Sequence, residues 1–226
     1  MCFKYDPALH KTQLNEKGYA HLKDVLSAEF ITVLTEFYQR AISDSLAENA
    51  SARITGKKRQ FVFDFPSKEM ALEFRSGIAR LTAMDEEKIT ISERHLKVYD
   101  AATNPWPAPH KDRGASQISI GLPIVLPEGS SICVFPSMDL TPNPNDKAMF
   151  LTDNDYVNVE NVYEAEEAVL LNEEVGDLVL FNGSSIFHER VRAAGTAVLY
   201  IKINGNGDDP LGENIYKSQV PTLELA

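Results

Sequence analysis

The chain has 226 residues, 43% hydrophobic and 24% charged, an ordinary globular composition that excludes disorder over its whole length. Its formal net charge of -11 disfavours phosphate backbones and anionic membranes as partners. No run approaches the roughly 18 apolar residues of a transmembrane helix, the opening Met1-Cys2-Phe3-Lys4-Tyr5-Asp6-Pro7 lacks the pattern of a secretory leader, and Cys2 and Cys133 are too few for a disulfide framework. A cytoplasmic protein that binds neither nucleic acid nor membrane is the expectation.

In chain order, Gly18 to Val25 alternates and reads as a short strand. Ser27 offers an N-cap to a helix running to about Ala47, with Phe30, Ile31, Leu34, Phe37, Tyr38, Ala41 and Ile42 at helical spacing. Gln60 to Phe65 is a strand closed by Pro66, and Ser67 caps a second helix to about Ala83 that buries Met70, Phe74, Ile78 and Leu81. The period changes after residue 88. Ile89 to Tyr99 reads as a strand, and Ala101 to Pro109, with three prolines and Trp106, as a constrained loop. Ser116 to Leu126 and Ser131 to Phe135 are strands around a Pro-Glu-Gly-Ser turn. On the first of these, alternation leaves open whether Gln117 and Ser119 or Ile118 face inward, while Cys133 reads as core. Short strands are expected at 148–151 and 156–162, and clearer ones at 177–181, 185–191 and 196–204. The acidic runs Glu164-Ala165-Glu166-Glu167 and Asn172-Glu173-Glu174 read as a solvated face. Two helices followed by turn-spaced strands predict one β-sandwich or barrel backed by N-terminal helices. Residues 1–204 form a single domain in this reading, with 205–226 as a tail or lid.

One pattern carries chemistry. In His110-Lys111-Asp112, residues i and i+2 of an extended segment point to the same side, so an imidazole and a carboxylate can share one ion. His188 lies on a late strand after Gly176-Asp177-Leu178-Val179-Leu180-Phe181. Two histidines and one carboxylate on one face of a metal leave open positions, the arrangement of non-haem Fe(II) oxygenases. Zinc is more often held in a closed tetrahedral set or by three histidines.

Several segments carry a resemblance. They are Asn15-Glu16-Lys17-Gly18-Tyr19-Ala20-His21-Leu22-Lys23-Asp24-Val25-Leu26-Ser27, Leu96-Lys97-Val98-Tyr99, Pro105-Trp106-Pro107-Ala108-Pro109-His110-Lys111-Asp112, and Gly129-Ser130-Ser131-Ile132-Cys133-Val134-Phe135-Pro136-Ser137. With the His188 segment, they resemble in order and spacing the Fe(II)/2-oxoglutarate-dependent dioxygenases, and most of all their phytanoyl-CoA dioxygenase branch. The resemblance implies a mainly β fold, a double-stranded β-helix (jelly-roll, cupin-like) barrel with N-terminal helices. It also implies iron held by His110, Asp112 and His188, and 2-oxoglutarate and O₂ as co-substrates. The expected reaction is hydroxylation or a related oxidation at a C–H bond of a small molecule, such as an amino acid or a natural-product intermediate. Family halogenases carry a small residue in place of the carboxylate, so Asp112 argues against halogenation.

The chain departs from the family at the co-substrate anchor. The family places an arginine about ten residues past the distal histidine, where a guanidinium suits a planar carboxylate, and Val198 and Leu199 stand there instead. Lys97, Tyr99, Arg192 and Lys202 are the candidate co-substrate residues. Lys202 interrupts an apolar strand, and a buried anion would account for it. Two further readings stand beside the oxygenase: a metal-dependent cupin-like enzyme or oxygenase that does not use 2-oxoglutarate, and a non-catalytic ligand-binding barrel.

Overall fold

The computed structural model describes residues 1–44, 58–100, 109–151 and 168–216. Its helices are α1 (Lys11–Lys17), α2 (Ala28–Asp44) and α3 (Lys68–Thr82). The strands of the first half are β1 (Tyr19–Leu22), β2 (Lys58–Val62), β3 (Thr90–Tyr99), β4 (His110–Lys111), β5 (Ile118–Val125) and β6 (Ser131–Phe135). The second half adds β7 (Met149–Phe150), β8 (Val169–Leu171), β9 (Leu178–Phe181), β10 (Phe187–Val191) and β11 (Ala197–Asn204). All pairings are antiparallel, in a six-stranded sheet of order β1-β9-β5-β11-β3-β2 and a five-stranded sheet of order β7-β4-β10-β6-β8. The two sheets form a jelly roll, and among the described residues they do not close into a barrel. No helix among these residues is long and apolar enough to cross a membrane.

Both expected helices start at their predicted caps. The Ser27 hydroxyl accepts from the Phe30 N–H at 3.0 Å, and the Ser67 hydroxyl from the Met70 N–H at 3.2 Å. The sequence reading missed α1, whose seven residues bury only Leu14 and which ends at Gly18 in the left-handed region, φ 73°. It also missed the short strands β4 and β8. The expected helix end at 45–47, the loop 101–108 with Trp106, the strand 156–162, the acidic run 164–167 and the tail 217–226 lie outside the described residues. Residues 213–216 turn back onto β3 and α3: Glu213 accepts from the Arg94 N–H, Asn214 from the Ile91 N–H, and the Tyr216 hydroxyl donates to Ala71 O.

The two-residue period of the strands sorts side chains into two environments. Leu199, Ile201 and Ile203 of β11, Ile118, Ile120 and Leu122 of β5, and Leu178 and Leu180 of β9 share the main core with the apolar faces of α2 and α3. Each such side chain contributes about 1.5–3 kcal/mol when fully buried. The alternate residues, among them Val198, Tyr200, Val179 and Phe181, face the smaller sheet's Ile132 and Val134. The question left open on β5 is thereby answered: Ile118 and Ile120 lie under the helices, and Ser119 points between the sheets. Under the helices, Phe63 meets Phe37 and Phe65 edge-on at centroid distances of 5.1 and 5.0 Å.

Gly77 lies inside α3, where glycine costs about 1 kcal/mol relative to alanine. The reason is Phe3, whose Cε2 would stand 2.4 Å from a Cβ at that position. Gly77→Ala is therefore expected to lower stability by about 1–3 kcal/mol despite the better helix former. Chemical denaturation checks this; equal or higher stability would show that the Phe3 ring yields freely.

Candidate metal centre

The site begins with strand register. His110 of β4 and His188 of β10 are directly opposed, with ring centroids 4.6 Å apart. Asp112 leaves β4 with its N–H donating to Gly183 O at 2.8 Å, and its carboxylate turns to the same side as His110. Lys111 points the other way. Its buried ammonium donates to Asp139 Oδ2 at 3.0 Å and Thr141 O at 2.8 Å and lies 4.8 Å from the centre of the Phe187 ring. Buried Asn143 fixes the same segment, donating from Nδ2 to Asp112 O and Lys147 O.

The donor atoms of His110, Asp112 and His188 all lie within 4.8 Å of one another, the one such set of three among the described residues. His188 Nε2 is 3.6 Å from Asp112 Oδ2, and His110 Nε2 is 3.9 Å from Oδ1. Two donors at right angles, each about 2.1 Å from a shared ion, stand about 3 Å apart, so a shift of under about 1 Å would bring these into range. His188 Nδ1 lies 2.9 Å from Ile186 O. A carbonyl only accepts, so Nδ1 carries the hydrogen and Nε2 turns its lone pair to the site. Burial lowers the His188 pKa and outweighs the pull of Asp112, which favours the neutral, ligating form.

Two groups orient the carboxylate. Lys202 Nζ donates to Oδ1 at 2.6 Å and Ser119 Oγ to Oδ2 at 2.5 Å. Two carboxylate oxygens offer about four lone-pair sites, so both retain capacity for an ion. The room is made by Gly183, where a Cβ would stand 2.3 Å from Ser119 Oγ and 2.8 Å from Asp112 Oδ2. Burial alone would push the Asp112 carboxyl up, but Lys202, the two histidines and Lys97 outweigh it and hold Asp112 ionised, well below the usual carboxylate range.

The triad shares a cavity of about 60 Å³ with Lys97, Tyr99, Lys202, Arg190, Tyr200 and Ser119. Two larger clefts, of about 630 and 530 Å³, are open surface features away from the triad, and neither holds a set of metal donors. Of the candidate co-substrate residues, Lys97, Tyr99 and Lys202 are thus brought to the triad. Arg192 is not. It is exposed at the β10–β11 turn, with φ 50°, and its guanidinium lies over Gly129. The cavity's arginine is Arg190, which the sequence reading overlooked although it sits at i+2 from His188 on one strand face. Its guanidinium pairs with Glu173 and donates to the Tyr200 hydroxyl at 3.2 and 3.3 Å. Burial opposes its charge, but Tyr200 and Glu173 prevail and raise its pKa. Glu173 corrects the expected solvated face: its side chain is fully buried, because it is the counter-ion of a buried arginine, while its neighbours Asn172 and Glu174 are exposed. Burial likewise pushes the Tyr99 phenol up, so it stays neutral. The core thiol of Cys133 is pushed up to about 12 by burial, which leaves it unreactive.

Behind the cavity lies Glu93, also missed. It stands opposite Lys202 in the β3–β11 register, and its Oε2 is 2.7 Å from Arg113 Nη2 and 3.6 Å from Lys202 Nζ. Its Oε1 is 3.1 Å from Lys97 Nζ. Burial would raise its pKa, but Lys202, Lys97, His95 and Arg113 hold it well below the ordinary value.

No protein-family model and no curated protein matches the chain. Solved structures do. A prolyl-4-hydroxylase from Pseudomonas putida aligns at 15% identity with TM-score 0.55, over 89% of this chain and 100% of that one. The epimerase SnoN from nogalamycin biosynthesis, in complex with Fe3+, alpha ketoglutarate and nogalamycin RO, aligns at 13% identity with TM-score 0.58, over 88% and 86%. EvdO2 from Micromonospora carbonacea var. aurantiaca, complexed with 2-oxoglutarate, aligns at 15% identity with TM-score 0.55, over 92% and 96%. At such identities the likeness is one of fold, and it places the chain among double-stranded β-helix structures.

Proposed function

We propose that this protein is a non-haem Fe(II)- and 2-oxoglutarate-dependent oxygenase that oxidises a C–H bond of a small molecule, such as an amino acid or a natural-product intermediate. The observation that carries the reading is the convergence of His110, Asp112 and His188 on one buried point between the two sheets of the jelly roll. The neighbouring structures that hold iron or 2-oxoglutarate support it. The likeness of the 15–27 and 105–112 segments to the phytanoyl-CoA dioxygenase branch supports placing the chain there.

In this reading His110, Asp112 and His188 hold the iron on one face, Lys202 and Ser119 fix the carboxylate, and the Phe181 ring, 4.4 Å from that of His188, excludes water. When bound, iron with 2-oxoglutarate and O₂ would supply the oxidation of an unactivated C–H bond. Arg190 and Lys97 are the cations available to the distal carboxylate, with Tyr99 and Tyr200 beside them and Lys202 committed to Asp112. Arg192, outside the cavity, is left out of this role. Each of these cations already has an internal carboxylate partner. A dicarboxylate would therefore enter by drawing a cation from its internal partner. That requirement favours, as second reading, a metal-dependent enzyme that does not use 2-oxoglutarate.

Anaerobic titration with Fe(II) and then 2-oxoglutarate separates the two. The oxygenase reading expects a visible charge-transfer band in the wild type, its loss in His110→Ala, and release of succinate in air. Iron uptake with neither band nor succinate would leave the second reading, and no uptake would remove both. Gly183→Ala is expected to weaken Fe(II) binding about 10- to 100-fold by pushing Ser119 and Asp112 apart. Unchanged metal affinity in a folded Gly183→Ala protein would show that the site absorbs the methyl group.

A further inference from the structure

The cavity carries an electrostatic problem that the triad does not solve. Lys202 donates to Asp112 at 2.6 Å, so an ammonium already holds a carboxylate that the proposed function gives to a divalent cation. Left to that one partner, Lys202 would compete with the metal for Asp112 and repel it across a poorly screened site.

The geometry points to Glu93 as the positioning residue that restrains Lys202, sharing its ammonium with Asp112 so that the carboxylate stays available to a divalent ion. Three observations carry this. First, β11 lies between β3 and β5 with Glu93 and Ser119 opposite Lys202 on its two sides, so that Glu93, Lys202 and Ser119 form one row across three strands. Second, Glu93 Oε2 stands 3.6 Å from Lys202 Nζ and also receives Arg113 Nη2 at 2.7 Å. Arg113 follows Asp112 in the chain, so one carboxylate restrains both the lysine and the segment that bears the ligand. Third, Glu93 is buried yet does not line the cavity, so it reaches the site through cations: Lys202, Arg113, and Lys97, whose Nζ is 3.1 Å from its Oε1.

The inference rests on the metal-site half of the proposed function and not on 2-oxoglutarate, so its test reads binding of the metal alone. Glu93→Asp keeps the charge and the strand but withdraws the carboxylate by about 1.5 Å. Anaerobic calorimetric titration with Mn(II) would compare wild type, Glu93→Asp, Lys202→Met and the double variant. The expected result is a loss of about 10- to 100-fold in Mn(II) affinity for Glu93→Asp, and no further loss when the same change is made in Lys202→Met. If Glu93→Asp fails to fold, Glu93→Gln with Lys202→Met removes both charges together and is expected to bind Mn(II) as Lys202→Met does. Wild-type affinity in Glu93→Asp would overturn the inference, as would an equal loss with and without Lys202, or a tenfold loss from Glu93→Gln in the Lys202→Met protein. A protein that binds Mn(II) as expected but not 2-oxoglutarate would refute the co-substrate and leave the role of Glu93 standing. A wild type that takes up no divalent ion would refute both.

Discussion

The two-residue alternation of β11 is the constraint on which the rest of the structure depends. One set of its side chains, Leu199, Ile201 and Ile203, joins the core beneath the helices. The other set, Val198, Tyr200 and Lys202, faces the smaller sheet, and Tyr200 and Lys202 line the cavity. A slip of one residue would exchange the sets, turning Lys202 into the helices and isoleucines into the cavity. The helices α2 and α3 therefore do more than cover a sheet. By demanding an apolar surface, they fix the register of its central strand and so the placement of every charged group on the opposite face.

Those charges obey a second constraint. An ion taken out of water needs a counter-ion nearby, and the cations Arg190, Lys97 and Lys202 that line the cavity each have one: Glu173 for Arg190, Glu93 for Lys97, and Asp112 with Glu93 for Lys202. Glu93 and Lys97 share β3, but the other partners come from different strands or segments, so those pairs tie parts of the sandwich together as well as offsetting burial. Removing one member would strand the other, at about 3–5 kcal/mol, whereas removing both is tolerated far better.

Much of this was legible locally. Ser27 and Ser67 announce the helices because a cap and the apolar stripe after it are adjacent in sequence. His110-Lys111-Asp112 shows its period directly, and the β-rich second half shows its turns. What stayed hidden depends on which strands meet. Glu173 reads as part of an acidic surface run until Arg190 is found beside it, and Glu93 gains its meaning from its pairing with Lys202, which no local pattern encodes. The same limit explains Arg192. From sequence it and Arg190 are two similar cations near a histidine, and only the strand end, which releases Arg192 into an exposed turn, tells them apart. Helix α1 escaped notice because seven residues with one buried leucine have no period to read.

The contact between Lys202 and Asp112 spans 90 residues of chain. Closing so long a loop costs entropy before any contact repays it, and sheets built from such pairings assemble slowly. The unfolded chain therefore offers an ion only the pair in His110-Lys111-Asp112, and the third donor arrives when β10 docks against β4. In the proposed reading, metal capture would then come late in folding, after the sheets have found their register. Whatever free energy the ion contributes stabilises the finished sandwich as a whole.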